Sequence, residues 1–220
     1  MPLEIPTNRL RPPQLEAINT IINYLDAYHA GETTEACLIN MPTGSGKSGV
    51  ITCCCRCLDN INSALVLSPR IAIRDQLYTD IKSGFFDIIG ENPDKKNQPF
   101  LIKNSSTFAA VDDHQDKSYV LTIQSIISLY KNNNDSFNSI SNNIDIVLVD
   151  EGHYEPAPTW GNAIRSLNAP KIIFTATPFR NDLKSFDISC EHTYCYTFTN
   201  AANDNIIRSV EFVELPNPNS

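Results

Sequence analysis

Positive charge is scarce in this chain: 17 Lys and Arg stand against 25 Asp and Glu, for a net charge of −8 over 220 residues. That balance argues against a surface coated with basic residues for nucleic acid, while leaving room for a local basic or polar groove. No apolar run approaches the roughly 18 residues of a helical membrane span. The opening MPLEIPTNRLRPPQ lacks the basic-then-apolar layout of a secretory leader, so the expectation is a cytoplasmic protein with no membrane partner. Two tight cysteine pairs flanked by turn residues, the mark of structural zinc, are also missing. Cys54 and Cys57 have C-x-x-C spacing, but they lie with Cys53 and Cys55 inside an expected helix. Small reduced thiols packing that helix against a sheet explain them better. No internal repeat is visible. What remains is an ordinary globular composition, 41% hydrophobic and 9% aromatic, in a length near the limit of a single core.

Against that background, Met41-Pro42-Thr43-Gly44-Ser45-Gly46-Lys47-Ser48 stands out. It follows a strand-like run, Ala36 to Asn40, and precedes a proline-free segment, Gly49 to Leu58, that can continue as a helix. Strand, glycine-rich turn and helix form the setting of a phosphate-binding loop. Glycines let several backbone N–H groups converge on one anion, and the helix start adds its positive end. Lys47 would neutralise the outer phosphates of ATP or GTP, and the Ser48 hydroxyl would ligate a magnesium ion. Met41 stands where the usual pattern has glycine. A chance Gly/Ser-rich turn is the bland alternative, and a second motif downstream argues against it.

That second motif closes the most apolar strand, Ile144 to Val149, with Asp150-Glu151-Gly152-His153. Two carboxylates at a buried strand end are costly unless a cation or hydrogen bonds compensate. Nucleotide-bound magnesium supplies the cation: Asp150 would hold it through its water shell and Glu151 would polarise the attacking water. Lys47 and Ser48 should therefore lie within one metal ion's reach of Asp150, at adjoining strand ends.

Other elements follow in order. Prolines 12 and 13 start a helix whose apolar face, from Leu15 to Leu25, runs to about His29. Gln14 in its first turn could read an adenine edge through its amide. Ala64 to Leu67 is a buried strand ending in Ser68-Pro69-Arg70, before a helical stretch with Ile73, Leu77 and Ile81. Residues 84–118 read as loops around one short strand, Phe100 to Lys103. Tyr119 to Ile123 is a strand, Gln124 to Leu129 a helix, and the polar run from Asn132 to Asn143 a surface loop. Lys171 to Phe174 reads as the last parallel strand, ending in Thr175-Ala176-Thr177-Pro178-Phe179-Arg180-Asn181-Asp182.

LRPPQ, MPTGSGKS, LSPRIAIRDQL, DEGH and TATPFRND, in that order over residues 8–182, resemble the first RecA-like domain of superfamily two helicases and translocases. The DEAH-like branch that includes restriction-enzyme motor subunits is the most similar. The resemblance implies an α/β RecA-like P-loop NTPase domain over residues 1–185, with a mostly parallel central sheet and helices on both faces. It implies ATP and Mg2+ as cofactors. Gln14, with Arg11 nearby, takes the adenine-recognition role, and Thr43, Gly44, Ser45, Gly46, Lys47 and Ser48 the phosphate loop. Pro69, Arg70 and Gln76, with Thr122, Gln124 and Ser125, fall in motifs that touch the nucleic-acid backbone. His153, Thr175 and Thr177 couple nucleotide state to movement.

The resemblance also implies a partner. Motors of this group need a second RecA-like domain to supply an arginine finger. No Q-x-x-G-R-x-x-R-like stretch occurs, Arg180 does not carry that role in the family, and only 38 residues, 183–220, follow Asp182. Residues 186–220 are therefore expected to be terminal strands and a linker toward a second domain in the same or another chain. The expected function is ATP-driven movement on nucleic acid, DNA ahead of RNA, with an isolated domain of little turnover. A nuclease partner, as in restriction or defence systems, is compatible with this. The alternative is a nucleotide-sensing module that gates a partner without translocating; a simple P-loop kinase would have no use for DEGH and TATPFR.

Overall fold

A computed structural model describes residues 5–92, 97–104, 117–151, 158–177 and 187–208. Its strands are β1 (Ala36–Asn40), β2 (Ala64–Ser68), β3 (Gln98–Leu101), β4 (Lys117–Thr122), β5 (Ile146–Val149), β6 (Lys171–Thr175) and β7 (Ile188–Cys195). They form one sheet in the order β3-β4-β2-β5-β6-β1-β7, and each described pairing is parallel. The helices are α1 (Pro12–His29), α2 (Lys47–Arg56), α3 (Ile71–Thr79), α4 (Phe85–Ile89), α5 (Ile123–Asn132), α6 (Asn134–Asn143), α7 (Pro158–Arg165) and α8 (Phe198–Asn203). A π turn, Asp80–Gly84, joins α3 to α4.

A parallel sheet needs cover on both faces, because each crossover places a helix on one of them. Alternation along the strands supplies two apolar surfaces. Cys37, Ile39, Val66, Leu148, Ile172 and Phe174 pack into one core with residues of α1, α2 and the π turn. Leu38, Leu65, Leu67, Val147, Val149 and Ile173 pack into the other with residues of α5, α6 and α7. Tyr24 fixes α1 to the sheet: its hydroxyl donates to the Glu35 carbonyl at 2.9 Å and accepts from the Lys171 N–H at 3.1 Å. Since the strands are parallel, the segments following them emerge along a single edge.

Several expectations are corrected. The run Asn132 to Asn143 is not a loop: Asn134–Asn143 is a helix, with Phe137 and Ile140 buried. The Asn133 side chain caps it, accepting from Ser136 N–H at 3.1 Å. Three apolar residues at helical spacing, Phe137, Ile140 and Ile144, were hidden under a polar majority. Among the described residues of 84–118 there is a short helix, α4, besides the expected strand, which lies at Gln98–Leu101. Pro99 is tolerated there because β3 is an edge strand. β5 starts two residues late because Asp145 turns aside to accept from the N–H groups of Asn62 and Ser63, at 2.7 and 2.9 Å. Lys171–Thr175 is not the last parallel strand, since β7 pairs parallel with β1. Nor do β1 and β5 adjoin; β6 lies between them.

Tyr24→Phe should lower stability by about 1–3 kcal/mol, because the Glu35 carbonyl and Lys171 N–H lose a partner in a buried setting. Urea denaturation against the wild type measures this directly.

Candidate functional site

The phosphate loop follows β1 as expected. Gly44 and Gly46 have φ of +84° and +98°, the left-handed region that residues with a Cβ rarely adopt. At Gly46 a Cβ would also come within 2.5 Å of Gln14 Nε2. Ser45 is buried, its hydroxyl donating to the Pro42 carbonyl at 2.7 Å, which holds the loop closed. Thr43 and Gly44 are exposed at its tip. Met41 is fully buried; its N–H donates to the Thr175 carbonyl at 3.0 Å, and its carbonyl accepts from Lys47 Nζ at 2.9 Å. A glycine is therefore not needed at that position, whose side chain fills the core. Helix α2 starts at Lys47, two residues before the expected Gly49, so Lys47 and Ser48 lie in its first turn.

Asp150 and Glu151 leave β5 on the same edge. Lys47 Nζ is 3.9 Å from Glu151 Oε1, and Glu151 has a φ of +52°, a conformation costing a non-glycine residue roughly 1–2 kcal/mol. Strain of this kind concentrates at functional sites. Asp150 is buried, and its Oδ1 has no hydrogen-bond partner among the described residues. Burial, with Glu151 adding like charge, pushes its carboxyl up to about 6, while Lys47 and the Glu151 N–H pull the other way. Burial likewise lowers Lys47, opposed by Glu151 and Asp150. An orphaned carboxylate oxygen, a second carboxylate and a serine hydroxyl are hard oxygen donors of the kind magnesium takes. The residues present fit that ion.

Gln14 is buried against the same loop. Its Oε1 accepts from the Arg11 N–H and its Nε2 donates to the Gly46 carbonyl, both at 3.0 Å. Its amide thus braces the phosphate loop, and Arg11 is exposed ahead of α1. Thr175 is buried and its hydroxyl accepts from the Thr177 N–H at 3.1 Å. Thr177 is exposed. Thr175 thus links the third motif to the entrance of the phosphate loop through Met41. His153 lies outside the described residues, as do Arg180 and the remainder of TATPFRND after Thr177.

Farther along the edge, Pro69, Thr122, Gln124 and Ser125 line a groove of about 530 Å³ with Ile71, Ile102, Lys103, Asn104, Ser128 and Leu129. Thr122 and Ser125 also bond each other: the Thr122 hydroxyl caps α5, accepting from Ser125 N–H at 3.2 Å, and the two hydroxyl oxygens are 2.8 Å apart. Arg70 is exposed at the cap of α3, beside the groove lining. Gln76 is exposed on α3 and does not line it.

Three features near these residues were not anticipated. Lys103 and Asn104 join the groove from the end of β3; their signal was a polar pair directly after a strand. Asp80 has its carboxyl raised by burial, an effect that Ser48 opposes, and no short motif marks it. Ile207 comes close to Gly44, within 3.6 Å of where a Cβ would stand. Its only trace is the apolar pair Ile206-Ile207 in a polar run.

A carboxyl raised from 3.8 to about 6 disfavours its charged form in the folded chain. In metal-free protein the resulting stability is present below pH 4 and lost as pH rises through 6. Asp150→Asn should therefore be more stable than the wild type in EDTA at pH 8, by about 3 kcal/mol. The difference should vanish near pH 4, as urea denaturation at the two pH values would show.

The family described as type III restriction enzyme, res subunit, matches residues 7–180. Curated protein sequences yield no match. Among solved structures, a nuclease-deletion mutant of the type ISP restriction-modification enzyme LlaGI, in complex with a DNA substrate mimic, superposes with a TM-score of 0.56 at 14% identity. The match covers 90% of this chain and 20% of that one. The UvsW helicase from bacteriophage T4 gives 0.52 at 18% identity, over 79% of this chain and 59% of that one. The SWI2/SNF2 ATPase core of Sulfolobus solfataricus, in complex with dsDNA, gives 0.55 at 15% identity, over 84% and 36%. At these identities the likeness is one of fold, and the chain spans less than two thirds of each. The family match runs from ahead of the phosphate loop through the third motif, over a seven-stranded parallel sheet with the RecA-like arrangement, so the chain belongs to the type III restriction enzyme res subunit family and has the motor-domain fold of superfamily two helicases and translocases.

Proposed function

We propose that the chain is the ATP-hydrolysing first motor domain of a translocase acting on DNA. The observation that supports this best is one cluster on the sheet edge: Lys47, 3.9 Å from Glu151, beside the buried, unpartnered Asp150 oxygen. Thr43 to Ser48 would cradle the phosphates through backbone N–H groups, and Lys47 would neutralise them. Ser48 and Asp150 would hold magnesium, which when bound offsets charge on the outer phosphates. Glu151 would orient the attacking water and accept its proton. Gln14 would keep the loop in its binding shape, and the exposed Arg11 would approach the base. Thr175, Thr177 and His153 would report nucleotide state to the groove.

That groove would grip backbone phosphates through Lys103, Gln124, Thr122 and Ser125, with Pro69, Arg70 and Gln76 alongside. Phosphate contacts carry no sequence information, which suits stepping along a strand. DNA is favoured over RNA because two of the fold relatives are described in complex with DNA. The motor would be completed by a second RecA-like domain in the same or another chain, with the first domain taking in β7, which pairs with β1, past the expected boundary at residue 185. A nuclease on the same or another chain suits a restriction enzyme family. The cytoplasm is the matching location, and among the described residues no helix is long and apolar enough to cross a membrane.

Residues 1–220 should bind a fluorescent ATP analogue, and Lys47→Ala should weaken that binding at least tenfold. Turnover by this segment alone should be slow; brisk DNA-stimulated hydrolysis would overturn the half-motor reading. In the longer protein Glu151→Gln should cut hydrolysis by roughly 10²–10⁴ while leaving nucleotide affinity within a few fold. Lys103→Ala should weaken DNA binding alike for unrelated sequences and lower the salt slope by about 1, read by filter binding at several salt concentrations.

A further inference from the structure

The phosphate loop has neighbours on the side away from β5. Strand β7 runs beside β1 to its end: the Tyr196 N–H donates to the Asn40 carbonyl at 2.8 Å, and Asn40 Nδ2 donates to Cys195 Sγ at 3.1 Å. Helix α8 follows, and the Ile206 and Ile207 N–H groups both turn back to the Ala201 carbonyl, at 2.9 and 3.2 Å. That turn brings Ile207 against Gly44 at the tip of the loop. From the other direction, Gln14 joins the start of α1 to the Gly46 carbonyl at 3.0 Å. The start of α1 and the β7–α8 turn are thus both fastened to the phosphate loop.

Between them lies a cavity of about 310 Å³, whose lining includes Pro12, Pro13, Glu16, Tyr194, Tyr196 and Asp204. That is the lower end of the ~300–1,000 Å³ usual for small-molecule sites, room for a sugar rather than a whole nucleotide. Two carboxylates stand in it, each held by a tyrosine. The Tyr194 hydroxyl donates to Glu16 Oε2 at 2.9 Å, and the Tyr196 hydroxyl donates to Asp204 Oδ2 at 2.7 Å. An ionised carboxylate can accept about four hydrogen bonds, so one tyrosine donor orients each group and leaves most of its capacity. Pro12 and Pro13 bring no N–H to compete for it. Carboxylates only accept, so the matching ligand must donate, and a pair of neighbouring sugar hydroxyls does so. Gln14 cannot take over this task, because both ends of its amide are engaged, by the Arg11 N–H and the Gly46 carbonyl.

We propose that Glu16 and Asp204 hold the ribose hydroxyls of the nucleotide whose phosphates lie on the loop, so that this cavity selects ribonucleotides over deoxyribonucleotides. A carboxylate accepting from a ribose hydroxyl is a general way for a nucleotide site to read the sugar. Tyr194 and Tyr196 are positioning residues that keep the two carboxylates turned to the cavity. The proposal rests on the reading of residues 43–48 as a phosphate loop.

The test is equilibrium dialysis of residues 1–220 with radiolabelled ATP and magnesium, competed by ATP, 2′-dATP, 3′-dATP and inorganic triphosphate. The wild type should prefer ATP over each deoxynucleotide by about tenfold, the size expected for a hydrogen bond to a charged group. Glu16→Ala and Asp204→Ala should each remove the preference over one deoxynucleotide while triphosphate affinity stays at the wild-type value. Tyr194→Phe and Tyr196→Phe should reduce the same preferences without abolishing them. Equal wild-type affinity for ATP and both deoxynucleotides would overturn the proposal. So would variants that weaken ATP and the deoxynucleotides alike, which is the mark of a structural role or of a cavity that holds the base. If Lys47→Ala left ATP and triphosphate binding unchanged, the phosphate-loop reading itself would fail, and the ribose site with it. Thermal melts check folding; should an alanine variant not fold, Glu16→Gln and Asp204→Asn make the same comparison.

Discussion

A carboxylate cannot be buried at a strand end without something positive to answer it. Asp150 is in that position, with Lys47 as the protein's own reply and an oxygen still unsatisfied. The arrangement explains much of what surrounds it. Lys47 is drawn back over the loop by the Met41 carbonyl and toward Glu151. Glu151 accepts a left-handed backbone, and the parallel sheet provides the edge on which these groups meet. One carboxylate oxygen is left unanswered, so the group that burial makes costly is also the one at which the proposed cation would act.

Legibility from sequence followed the kind of signal. Strands buried on both faces read as short apolar runs, and six of the seven were recognised, most within two residues. β7 lies in the stretch expected to hold terminal strands, but its pairing with β1 was not foreseen, because an edge strand with exposed side chains lacks such a run. Helix α6 was hidden by its asparagines and serines, although Phe137 and Ile140 kept the period. At the candidate site, Lys47, Asp150 and Glu151 were singled out because the chemistry proposed for them has a fixed local pattern, and Lys47 lies 3.9 Å from Glu151. Gln14 was found too, but its amide is engaged by the phosphate loop in a way no spacing shows. Asp80, Lys103 and Ile207 reach the site through the path of the chain, and tertiary proximity of that sort leaves no local motif.

The family assignment sharpens the choice between motor and sensor. A gating module has no need of a carboxylate next to Lys47, nor of a groove lined by Lys103, Gln124 and Ser125 on the same edge as the phosphate loop. The acidic net charge does not weigh against this, because the groove lining combines hydroxyls and amides with apolar residues and Lys103, with Arg70 beside it.

Helix α2 carries Cys53, Cys54 and Cys55, with Cys57 at its C-cap, all free and buried. Burial pushes the Cys55 thiol up to about 12, so it remains unreactive while the helix is seated. Any excursion that lifts α2 from the sheet would expose these sulfurs to alkylation. The domain therefore carries an intrinsic chemical reporter directly behind its phosphate loop, and the labelling rate would count how often the nucleotide-binding edge comes apart.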